Sequence, residues 1–243
     1  MTERLEGRTV LVTGANGGLG VEFVRQALGR GARRVYAAAR SPREWEDARV
    51  VPLVLDLLDP VTVAAAAEAA PDVDLLVNNA SIAPADDVSV LAGEEEVMRR
   101  ILETNLYGTL RVTRAFAPVL ATNGGGALLD VLSLAAWTPV PSAYAASKTA
   151  MWSATNALRV ELAPEGTTVT GLLVGLVDTS MSAHVSLPKV SAASVVAQAY
   201  DGVATGAFEV LADDDTRLVK SLLSRPAEDL GSAVAAAVSA LAS

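Results

Sequence analysis

The chain has 243 residues, 51% of them hydrophobic, enough for one sizeable core and a single domain over 1–243. A formal net charge of −9 without any run of Lys or Arg argues against a nucleic-acid partner, because a phosphate-backbone binder needs the opposite balance. Absent cysteine removes disulfides and thiolate metal sites, and a single histidine, His184, leaves too little for a His-based zinc site or a Ser-His-Asp triad, so no metal is expected.

Residues 1–8 are charged and lack the apolar centre of a signal peptide, and no apolar run reaches the roughly eighteen residues of a membrane span. The expectation is a soluble, cytoplasmic protein with no membrane partner. Strands are predicted over Thr9–Thr13, 34–38, 50–55, 73–77, 127–132 and 169–174. They read as continuously apolar, the pattern of strands covered on both faces. Between them run helical patterns at 20–29, 61–70, 94–120 and 142–162. Repeated β-α order implies one Rossmann-type, doubly wound parallel sheet of six to seven strands with helices on both faces.

The first β-α turn, Thr13-Gly14-Ala15-Asn16-Gly17-Gly18-Leu19-Gly20, has the glycines that let a backbone approach a pyrophosphate. The helix that follows offers free N–H groups and a positive dipole end to phosphates. At the end of the second strand, Ala39 stands where an NAD-preferring site places a carboxylate, and Arg40 is next to it. A guanidinium there can clamp a 2′-phosphate, which favours NADP(H) over NAD(H); Arg43 is a second candidate. Asp56 and Asn78 close the third and fourth strands, where an adenosine would be held, although Asp56 also reads as a helix cap. Asn105 sits unfavourably inside a helical run, which hints at a task for its side chain.

Strand five delivers Ser133 at its carboxyl end, eleven residues before Tyr144. Tyr144 and Lys148 are four residues apart in an Ala-rich helical stretch and so share a helix face. A nearby cation favours the tyrosinate, so Lys148 is expected to lower the Tyr144 pKa toward the range useful for proton transfer.

Together, Thr13-Gly14-x-x-x-Gly18-x-Gly20, Asn78-Asn79-Ala80, Asn105, Ser133 and Tyr144-x-x-x-Lys148 resemble the short-chain dehydrogenase/reductase (SDR) family from Gly7 to about Thr179. The resemblance implies Tyr144 as general acid or base, Ser133 as donor to the substrate oxygen and Lys148 on the nicotinamide ribose. It implies Asn105 as the holder of a relay water. It also implies cofactor contacts from Gly14, Asn16, Gly18, Leu19, Gly20, Asp56, Leu57, Asn78, Ala80, Val177 and Thr179, beside Arg40, Tyr144 and Lys148. The partners implied are a small carbonyl or alcohol substrate and further copies of the chain, as a homodimer or homotetramer. Three departures stand out: Ser81 replaces the Gly after Asn78-Asn79-Ala80, Val174 replaces the Pro before Gly175, and the glycine loop lacks the Arg or Lys often found there in NADP-preferring members, which leaves the cofactor choice to Arg40.

Residues 180–204 read as a substrate lid region, polar and small up to Lys189 and helical from about 191. A strand at 208–211 and helices at 214–223 and 228–241 follow. His184 either faces substrate or is simply an exposed loop histidine. Met181, Trp137 and Val140 are apolar candidates near the site and point to a modestly hydrophobic ketone or aldehyde. The expected activity is NADPH-dependent carbonyl reduction with reversible alcohol oxidation; the alternative is an NADP-binding sensor or scaffold without turnover.

Overall fold

The computed structural model describes residues 5–226 except 85 and 88, together with 229, 231, 232 and 234. Seven parallel strands form one sheet in the order β3-β2-β1-β4-β5-β6-β7. They are β1 (Thr9–Thr13), β2 (Arg34–Ala39), β3 (Val50–Val54), β4 (Leu75–Asn78), β5 (Ala127–Val131), β6 (Thr168–Leu173) and β7 (Glu209–Leu211). The chain reverses its direction of travel across the sheet between β1 and β4, which opens a crevice at their carboxyl ends.

Alternate residues of one strand enter opposite cores, which is why the strands read as unbroken apolar runs. Val10, Val12, Leu75 and Val77 face α1 (Gly18–Gly29) and α6 (Ala192–Thr205), where Phe23, Val196 and Tyr200 are buried. Leu11, Leu76 and Leu128 face α2 (Pro60–Ala69) and α4 (Thr109–Thr122), against Val63 and Phe116. The rings of Phe23 and Tyr200 meet edge to face at 5.4 Å, and the Tyr200 hydroxyl donates to Phe23 O at 2.8 Å. That pair anchors α1, whose first turn abuts the glycine loop; emptying it as Phe23→Ala would cost about 3–5 kcal/mol.

Sequence signals set the helix starts. Asp59 caps α2 ahead of Pro60, and Ser142 caps α5 (Ala143–Leu162). The helix expected over 94–120 is instead three pieces: α3 (Glu95–Leu102), a π-helical turn at Glu103–Gly108, and α4. The interruption holds Asn105 against loop 82 and seats Gly108, where a Cβ would crowd Leu57. The strand expected at 73–77 begins at Leu75, with Val73 buried ahead of it. After β7 comes α7 (Asp214–Leu222). The helix expected over 228–241 lies outside the described residues apart from 229, 231, 232 and 234. Among the described residues, no helix is long and apolar enough to cross a membrane.

Candidate active site and nucleotide cleft

A cleft of about 1740 Å³ opens along the carboxyl ends of the strands. One end is built from the glycine loop. Gly14 and Gly18 hold φ of 66° and 50°, and a Cβ on either would abut Ala80 and Asn79 or Thr179. The N-cap of α1 is Gly17, with no side chain bonded to the first turn, so the helix presents bare N–H groups to the cleft. A backbone cradle without side chains, in front of a positive helix end, fits the pyrophosphate of a dinucleotide.

Asn16 Nδ2 donates to Ser41 O at 2.7 Å and ties this loop to the end of β2, where exposed Arg40 lines the cleft and, among the described residues, forms no salt bridge. Arg43 is stacked on Trp45 at 3.9 Å and does not line the cleft, so the second cation candidate is withdrawn. Leu19, Asp56, Leu57, Ala80, Val177 and Thr179 all line the cleft as expected.

Three expected site residues lie elsewhere. Asn78 is buried and donates to Thr113 Oγ1 and Asp130 Oδ1, each at 2.9 Å, on the α4 side of the sheet. Its parity with Leu76 puts it on that inner face, so it does not reach a ribose. Gly20 lies behind the loop, where a Cβ would fall on Gly14 O; it is a packing glycine. The Asn105 side chain accepts from Ile82 N and donates to Ile82 O and Ser147 Oγ, so it ties α5 to loop 82, and it is not among the residues lining the cleft.

At the middle of the cleft, Ser133, Tyr144 and Lys148 come together. Ser133 follows β5 and accepts from Ala135 N at 3.1 Å as the cap of a short 3-10 turn. Lys148 is buried, its Nζ donating to Val131 O at 2.9 Å and lying 5.6 Å from the Tyr144 ring centroid. Burial lowers the ammonium pKa from 10.5 to about 8, although the Asp130 carboxyl pulls the other way. The Tyr144 phenol is pushed up by burial, and its hydrogen bond with Ser133 does not offset this. The expected lowering by Lys148 is therefore corrected: the ammonium bonds a carbonyl, and desolvation of the phenol dominates.

Residues 8–189 match the short chain dehydrogenase family model. The chain belongs to the short-chain dehydrogenase/reductase family. It is 34% identical over 192 residues to galactitol 2-dehydrogenase (L-tagatose-forming) of Cereibacter sphaeroides, covering 74% of this chain and 75% of that one. It is 30% identical over 195 residues to an NADP-dependent 3-hydroxy acid dehydrogenase of Schizosaccharomyces pombe, again 74% and 75% of the two chains. A crystal structure of a short chain dehydrogenase from Burkholderia cenocepacia J2315 in complex with NADP superposes with a TM-score of 0.88 at 36% identity, over 95% of this chain and 98% of that one.

This SDR chain carries a feature that motif reading missed. Asp213, at the end of β7, accepts from Gly175 N at 2.7 Å with Oδ2 and caps α7 with Oδ1 at Thr216 N, 2.8 Å away. It fixes the loop at the position where Val174 replaces the family's Pro. An Asp just past a predicted strand and before a helical run was the available signal. Of the segment expected as a lid, 180–190 is a loop closed by Val190 N to Leu176 O and Asp178 N to Val190 O, both 2.9 Å. From Ala192 onward it is α6, buried on α1, so that half belongs to the framework. Trp137 is also turned inward, edge on to Trp152, rather than toward the cleft.

Proposed function

We propose that this SDR chain is an NADPH-dependent carbonyl reductase, reversible toward alcohol oxidation, acting on a ketone or aldehyde of partly apolar character. The observation that carries the reading is the convergence of Ser133, Tyr144 and Lys148 in one cleft with an uncapped glycine-loop helix. A nicotinamide held there supplies the hydride in reduction and takes it up in oxidation. Gly14, Gly18, Leu19 and the α1 N–H groups would hold its phosphates, Arg40 the 2′-phosphate, and Lys148 the inner ribose.

As the carbonyl oxygen gains negative charge, the Ser133 and Tyr144 hydroxyls are the two donors aimed at it, and they act more strongly on the transition state than on the ground state. A phenol pushed up by burial stays protonated at neutral pH, which suits it to donate. Lys148, with a pKa of about 8, keeps a positive charge beside the phenoxide that forms. Ile82, Pro84, Leu134, Val140, Met181 and Leu187 line the cleft beside polar Ser81, Thr104, Thr138 and His184, and the apolar members support a substrate of partly apolar character.

Ala39 and Arg40 support NADP(H), as do the NADP complex and the NADP-dependent relative. A homodimer or homotetramer is proposed from family resemblance, with exposed Tyr107 in the π-helical turn and exposed Val160 on α5 as candidate contacts. Loop 180–190 is proposed as the moving part over substrate.

Tyr144→Phe tests the reading. Turnover of NADPH on a panel of ketones and aldehydes should fall about 10²–10⁴-fold, with NADPH binding retained. Unchanged turnover removes Tyr144 from the mechanism. Tight NADPH binding by the natural chain without turnover of any carbonyl favours the sensor or scaffold.

A further inference from the structure

Two residues that follow β4 in the chain, Ile82 and Asp87, are each pinned to a part of the site. At Ile82 the backbone N–H donates to Asn105 Oδ1 at 2.8 Å, and the carbonyl accepts from Asn105 Nδ2 at 2.9 Å. At Asp87 the carboxylate takes two backbone N–H groups of the first turn of α5. Oδ1 accepts from Ala143 at 2.8 Å and Oδ2 from Tyr144 at 2.7 Å. Between these pins, Ile82, Ala83 and Pro84 line the cleft.

The pin at Asp87 is charge-assisted and engages N–H groups that have no partner inside the helix. It also sets a negative charge at the positive end of the α5 dipole. Helix α5 has a second, local cap, since Ser142 Oγ accepts from Ala145 N at 3.1 Å. A cap from within the turn stabilises the helix wherever the helix lies. A carboxylate 56 and 57 residues away in sequence does more, because it ties the helix to a particular wall.

We infer that Asp87 is a positioning residue, clasping the Tyr144 end of α5 to the 82–84 wall so that phenol and bound substrate keep one spacing. The inference rests on the reading of Tyr144 as proton donor; the clasp itself is testable without turnover.

The test compares Asp87→Ala, Asp87→Asn and Ser142→Ala in the full chain. Hydrogen exchange by mass spectrometry should speed up about tenfold in Asp87→Ala, in peptides covering both 82–84 and 143–147, as expected when a local opening costs less. Ser142→Ala should affect only the second peptide. With NADPH and a ketone, kcat of Asp87→Ala should fall about 10–100-fold, the cost of a small misplacement, while NADPH affinity stays within about twofold. Asp87→Asn, which keeps one of the two acceptor oxygens, should lie between, and Ser142→Ala should stay within about twofold of the natural chain. Unchanged exchange over 82–84 in Asp87→Ala overturns the clasp. Equal kcat losses in Asp87→Ala and Ser142→Ala overturn the positioning role and leave an ordinary helix cap. If the natural chain turns over no carbonyl, the reading of Tyr144 falls and the positioning role with it, while exchange still decides the clasp.

Discussion

Arg40 is the residue on which cofactor choice turns. It is exposed at the cleft rim beside buried Ala39, so no carboxylate repels a 2′-phosphate there. A hydrogen bond to a charged group contributes about 1.5–3 kcal/mol, or roughly 10–100-fold in affinity. Arg40→Ala should therefore weaken NADPH by about that factor and leave NADH within about twofold. Fluorescence titration with both cofactors checks this, and equal losses would remove the clamp. At this scale the sequence made Ser133, Tyr144 and Lys148 legible because each sits at a fixed step from a strand end or a helix turn. Asn78 was misread because strand parity, not proximity to the strand end, decides which face a side chain takes. Asp87 was invisible, since its partners are backbone N–H groups brought near by tertiary folding alone.

Among elements, the glycine loop and α1 work as one piece. A Cβ at residue 20 falls on Gly14 O, so Gly20→Ala must push the first turn of α1 away from the loop. The helix N–H groups would then point past the pyrophosphate. We expect at least about a tenfold loss in affinity for NADPH and NADH alike, since positioning errors near 1 Å cost that much or more. Loss for only one cofactor would contradict a shared phosphate cradle. The order of elements and the parallel sheet were legible from alternating apolar runs and caps such as Asp59 and Ser142. The π turn at Glu103–Gly108 was not, because the contact it serves, Asn105 to Ile82, joins residues twenty-three apart that only the fold brings together. Composition did separate the polar 180–189 stretch from the helix after about 191, but it did not show that this helix packs on α1 rather than over the cleft.

For the whole molecule, the buried ammonium of Lys148 is a cost to folding whose size depends on pH. Its pKa is 10.5 when exposed and about 8 in the folded chain. Below pH 8 the lysine is charged in both states, and the folded state bears the full penalty of holding that charge out of water. Between pH 8 and 10.5 the unfolded chain binds more protons, so this group makes stability rise with pH; above 10.5 the penalty is gone. At 1.36 kcal/mol per pKa unit the whole effect is about 3 kcal/mol. Lys148→Met keeps the side-chain volume and removes the titration, at the cost of leaving Val131 O without its donor. That cost does not vary with pH, so the comparison reads the ammonium together with its coupling to the buried Asp130 carboxyl. Denaturant unfolding of both proteins at pH 7 and at pH 10 should show the stability difference, variant minus natural, shrinking by up to about 3 kcal/mol. A difference that stays constant across that window would mean the ammonium is well solvated in the folded chain, and Lys148 would then not be the buried cation beside the phenol that the chemistry requires.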